Sequence, residues 1–171
     1  MDNLLSFILG VSAPIITQLV AHYVSNRESN RNKKLENIRL AITTVIELTE
    51  LINQCYEYIK SPIHTDNDGR HMREHNCYPT FKPKNELDLK FINSDLSFRI
   101  SILPTRLKYI KDNISLYYDN VSLYDDKIFA YSNDLYKEFT MELIDIREKI
   151  CKEYNLPKDK LFDLSDLYGA L

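Results

Sequence analysis

The sequence predicts an all-α chain, with an N-terminal transmembrane helix followed by a cytoplasmic helical bundle of three to four helices. Three observations lead there. Only 3 Gly and 6 Pro punctuate 171 residues, too few for the many tight turns of an all-β fold. Apolar residues recur at spacings of three and four through most of the chain, the period of a helix with one buried face. The third is one long uncharged apolar run at the start, with cations gathered after it. Apolar residues make up 44% and charged residues 27%, so a packed core is expected rather than disorder.

Leu4 to Val24 carries no formal charge apart from that of a protonated His22. About 21 residues at 1.5 Å rise span roughly 30 Å, the thickness of a bilayer core. A secretory leader would carry Lys or Arg before its apolar run, and only Met1-Asp2-Asn3 precedes this one. The cations follow instead, at Arg27, Arg31, Lys33, Lys34 and Arg39 against Glu28 and Glu36. By the positive-inside rule the C-terminal side is cytoplasmic, and the chain is a single-pass protein of the bacterial inner membrane. Three cysteines (Cys55, Cys77 and Cys151), odd in number and widely spaced, fit a reducing compartment better than a disulfide framework.

Within the predicted span, Asn3, Ser6, Gly10, Ala13 and Thr17 fall on one helical face, with Ala21 extending it. Small residues let helices approach closely in lipid, and hydroxyls hydrogen-bond across the contact. The stripe Ser6, Gly10, Ala13, Thr17 therefore reads as an oligomer-packing surface or as the lining of a pore. Residues 25–34 form a basic juxtamembrane stalk, with Arg27, Arg31, Lys33 and Lys34 placed for anionic headgroups.

The bundle occupies residues 35–171. Leu35, Ile38, Ile42, Val45, Thr49, Ile52, Tyr56 and Ile59 follow a three-four alternation, widened by Ala41, Leu48 and Cys55, and Pro62 closes that helix. Residues 61–85, with Pro62, Gly69, Pro79 and Pro83, read as a long loop, the kind that carries function or lacks order. Leu89 through Tyr117 reads as one long helix that Pro104 kinks or splits. Tyr117 to Asp126 is a connection, and a last helix runs from about Asn133 to Tyr154 with Pro157 beyond it. Leu161, Leu164, Leu167 and Leu171 add one short amphipathic turn.

Chemistry-bearing residues are sparse. Net charge is −3, so there is no global basic footprint and no DNA partner is expected. His64, His71, His75 and Cys77 share the loop, but their spacing matches no zinc module, and neither metal nor cofactor is expected. In Arg70-His-Met-Arg-Glu-His75 an arginine precedes a histidine by five positions. In a helical turn the two would converge, the His as acid or base on a ribose hydroxyl and the Arg steadying phosphate. Arg73 beside them makes a small cationic patch with Arg70.

This layout of apolar span, basic stalk, helical domain and Arg70-x4-His75 resembles the small membrane accessory proteins of type VI-B CRISPR systems. Their helical domain is described as a divergent HEPN-like bundle. The resemblance covers the whole chain in layout, with motif identity only at Arg70 and His75. It implies an oligomeric membrane pore or permeability effector that enhances RNA-guided antiviral defence. Its implied partners are the membrane, further copies of itself, and indirectly an RNA-guided CRISPR effector or RNA. Arg70 and His75 then occupy the catalytic HEPN positions. Their setting in a Pro-bounded loop departs from the usual helical one and argues against enzymatic activity. Two alternatives stand beside the pore: a HEPN-type ribonuclease using Arg70 and His75, and a non-conducting membrane-anchored interaction scaffold.

Overall fold

The computed structural model describes the backbone of residues 2–68, 71–73, 78–82, 88–120 and 127–157; side chains are described at these positions except 2–17, 19, 20, 119 and 120. Among the described residues the protein is mostly helical. It has four α-helices, α1 (Asp2–Lys60), α2 (Ser94–Ser101), α3 (Leu103–Asn120) and α4 (Lys127–Glu153). The predicted all-α character holds. The chain divides into two compact units, Met1–Arg39 and Leu40–Leu171.

In the first unit every residue from Ala21 to Asn37 is exposed, and His22 Nε2 pairs with Asn26 Nδ2 at 3.1 Å. Among the described residues no helix is long and apolar enough to cross a membrane. The side chains that make up most of the apolar run Leu4–Val24 lie outside the described residues.

The second unit holds the core. α1 stops at Lys60 because Ser61 precedes Pro62, whose ring disfavours helical geometry in the residue before it. The stretch expected to be loop alone contains a short antiparallel hairpin, β1 (Ile63–Thr65) and β2 (His71–Arg73), with Ile63 opposite Arg73 and Thr65 opposite His71. Asp66 starts the turn by accepting from the Asp68 backbone N–H at 2.9 Å.

The long helix expected from Leu89 to Tyr117 begins later and breaks earlier. A 3-10 turn covers Leu89–Phe91, capped by Asp88, and α2 starts where Asn93 Oδ1 accepts from Leu96 N at 3.0 Å. The break falls at Ile102, and Pro104 sits in the first turn of α3, where a missing N–H costs no helical bond. α3 and α4 also run closer together than expected, to Asn120 and from Lys127. Asn155, at φ 50, reverses the chain after α4 while Leu156 N bonds Cys151 O at 2.9 Å.

α4 is the central element, burying Tyr136, Phe139, Leu143, Ile146 and Ile150. α1 meets it antiparallel: Thr49 accepts from Arg147 Nε at 2.9 Å, Cys55 lies in hydrogen-bond reach of Thr140, and the Tyr58 and Tyr136 rings are 4.5 Å apart. The buried face of α1 keeps Thr49 and Ile52 of the expected alternation but is centred on its flanking positions. Ala41, Leu48 and Cys55 are fully buried, whereas Leu35 and Ile42 are 56% and 43% exposed. The flanking positions are the centre of the packed face, because the small Ala41, Thr44 and Cys55 let the backbone approach its neighbours.

Half-buried charges tie the remaining helices together. Arg99 of α2 bonds Asp145 at 2.8 Å and approaches Glu142 at 3.8 Å, and Arg106 of α3 bonds the same Glu142. Lys149 adds a second cation on Asp145 at 2.8 Å. Hydrogen bonds from Lys149 and Arg99 hold the Asp145 carboxyl below its usual range.

Candidate functional site

The residues singled out for chemistry cluster around β2. Arg70 and His75 lie outside the described residues, but His71–Arg73 between them is strand, not the helical turn in which the pair was expected to converge. His64 is exposed on β1, and His71 Nδ1 lies 3.2 Å from Thr65 Oγ1 across the hairpin. Among the described residues no three His, Cys, Asp or Glu side chains gather where a metal could sit. Cys77 lies outside them.

Arg73 is the surprise. The sequence places it in a cationic patch, yet it is only 5% exposed. Alternation along β2 turns it inward while Met72 stays out. Its guanidinium lies over the Tyr58 ring at 4.4 Å and the Phe129 ring at 5.5 Å. It donates to the Tyr58 carbonyl at the end of α1, to Asn133 Oδ1 at 2.5 Å and to Ser132 Oγ at 3.4 Å on α4. All these acceptors are neutral. Arg73 Nε and the Tyr136 hydroxyl are buried without a hydrogen-bond partner among the described residues.

Tyrosines complete the cluster. Tyr78 stacks on Tyr58 at 5.6 Å, and Lys111 of α3 stands over the other ring partner, Tyr78, at 5.3 Å. Burial pushes the Tyr58, Tyr118 and Tyr136 hydroxyls above their ordinary pKa, and neighbouring phenols reinforce the shift. Burial likewise lifts the Cys55 thiol from 9.0 to about 12. These three phenols and the Cys55 thiol therefore stay protonated at neutral pH. What the arrangement does is hold β2 of the hairpin against the ends of α1 and α4.

The Cys55 shift has a measurable consequence. Below pH 9 the thiol is neutral folded or unfolded; above it only the unfolded thiol ionises, so stability falls as pH rises from about 9 towards 12. Cys55→Ala should flatten part of that alkaline slope in chemical denaturation. In the native protein, Cys55 should resist a thiol reagent at neutral pH until unfolding exposes it.

The four basic residues assigned to the membrane surface, Arg27, Arg31, Lys33 and Lys34, are all exposed. The packing stripe Ser6, Gly10, Ala13 and Thr17 has its side chains outside the described residues. Elsewhere, a shallow cleft at the start of α2 is lined by Asn93, Asp95, Leu96, Lys149, Lys152 and Glu153. Both signs of charge mix there, and Asn93 already caps α2, so it offers no single-sign field.

Sequence reasoning missed the Arg73 cluster because its members are spread over five segments: α1, β2, the stretch holding Tyr78, α3 and α4. One signal was available: Tyr58 lies two residues before the end of α1 and Tyr78 five residues after Arg73, so aromatic rings flank the hairpin in sequence. No family model, curated protein or solved structure matches the chain.

Proposed function

We propose that the chain is a membrane-anchored, self-associating helical protein whose copies form a pore or permeability effector in RNA-guided antiviral defence. The defence role rests on the resemblance of layout alone. The anchor has one structural support: α1 is a single helix from Asp2 to Lys60, and every residue from Ala21 to Asn37 on it is exposed. A helix solvated on all sides gains nothing from packing along that stretch, and short isolated helices are marginal in water. Such a segment persists when its two ends are held, and an apolar run in lipid supplies one of those ends. The exposed Arg27, Arg31, Lys33 and Lys34 then lie where anionic headgroups attract them.

Liposome flotation and dye or ion release test this reading together. The protein is expected to float with anionic liposomes, resist carbonate extraction, and release contents. Ser6→Leu with Thr17→Leu keeps the segment apolar, so flotation should persist while flux drops by about tenfold or more if that face lines water. Flux unchanged in the double variant excludes a lumen on this face. Flotation without any flux leaves the non-conducting scaffold, and failure to float removes the anchor itself.

A further inference from the structure

Residues 21–37 of α1 are exposed on every side, yet their charges are not spread evenly. At about 100° per residue, Tyr23, Arg27, Arg31 and Lys34 fall within about 80° of the helix circumference. Glu28 and Glu36 are centred about 140° away from them. Among the described residues, none of Arg27, Arg31, Lys34 and Glu28 is in an ion pair. Glu36 bridges Arg39 at 3.7 Å on the acidic side, and its side chain remains 55% exposed. Lys33 lies off both faces.

A solvated stalk needs no such division, and neither does a membrane surface. Headgroups surround a stalk and attract cations on all its sides. A cationic face set away from an acidic one suits a neighbour that presents the same pair of faces. Copies anchored in one membrane run parallel at equal depth, a placement that rests on the proposed anchored, self-associating state. At 1.5 Å per residue, Arg27 of one copy then stands within about 1.5 Å of the level of Glu28 on the next, and Lys34 within about 3 Å of that of Glu36.

We propose that a second copy of this chain is the partner of the stalk, the face of Tyr23, Arg27, Arg31 and Lys34 on one copy meeting the Glu28 and Glu36 face of the next. Turning two like faces together would appose like charges, which costs more than an exposed pair gains. The contact therefore joins unlike faces and repeats from copy to copy, and parallel copies about one axis close it into a ring. Exposed ion pairs are weak, so the stalk selects how neighbours face one another, while confinement to the membrane supplies the effective concentration.

Charge reversal in the full chain tests it, in a neutral detergent at low salt, with light scattering for size and circular dichroism for the fold. The parent is expected to assemble. Arg27→Glu with Arg31→Glu and Lys34→Glu should raise the concentration for half-assembly by about tenfold, and so should Glu28→Lys with Glu36→Lys. An equimolar mixture of the two variants should restore the parent's assembly, because each face then meets its opposite. Damage to the helix itself is not repaired by mixing. Where a reversal costs helix, the neutral Arg27→Gln with Lys34→Gln should still weaken assembly by about threefold. Variants that assemble as the parent does, or a mixture as weak as its components, overturn the contact and leave self-association standing. A parent that remains a single chain overturns both.

Discussion

Arg73→Ala is expected to lower the unfolding free energy by about 3 kcal/mol, because several buried acceptors lose their donor at once. The Tyr58 carbonyl, Asn133 Oδ1 and Ser132 Oγ all receive the guanidinium. An opposing effect limits the loss: the cation is buried among neutral groups, and removing it relieves a desolvation cost. Arg73→Met separates the two. It refills the slot between the Tyr58 and Phe129 rings without the charge, and should be less damaging than alanine. Arg73→Lys keeps the charge but loses the planar fork, so it cannot serve α1 and α4 together. Denaturant melts order the three variants, and hydrogen exchange at the His64–Met72 pairing should rise most for alanine. An alanine variant as stable as the parent would remove the docking role assigned to Arg73.

Leu48→Ala should cost about 3–4 kcal/mol, the usual toll of emptying a fully buried leucine site. Leu48 has no exposed surface, while Ile42 on the same helix is 43% exposed. Ile42→Ala should therefore cost under about 1 kcal/mol. The pair tests which stripe of α1 faces the core. Similar losses at both positions would mean the buried face is the three-four alternation read from sequence, not the one centred on Ala41, Leu48 and Cys55.

That contrast shows what sequence patterning conveys. Helical period was legible throughout the second unit, because buried leucines and isoleucines dominate α3 and α4. The stripe of α1 was legible with Ala41, Leu48 and Cys55 at its flank, but its centre was not, since the large residues at Leu35 and Ile42 drew the face away from Ala41, Thr44 and Cys55. Small residues signal close approach rather than bulk, and a hydropathy pattern undervalues them. Prolines were legible as punctuation but not as boundaries: Pro104 lies just inside α3, and the capping side chain of Asn93 marks the start of α2. The candidate site was least legible. Arg70-x4-His75 drew attention as a motif, whereas Arg73 between them makes the long-range contacts. Whether an arginine in a short strand faces water or core depends on pairing register, which one chain segment alone does not specify.

The tyrosine cluster also endows the protein with a built-in optical gauge. The chain has no Trp, so its near-ultraviolet signal comes chiefly from its 12 Tyr and 7 Phe. Tyr58 packs against both Tyr78 and Tyr136 beside Arg73, an asymmetric setting that gives strong near-ultraviolet dichroism. Loss of that dichroism with far-ultraviolet helicity retained would register the hairpin lifting away while the helices stay assembled, with no label added.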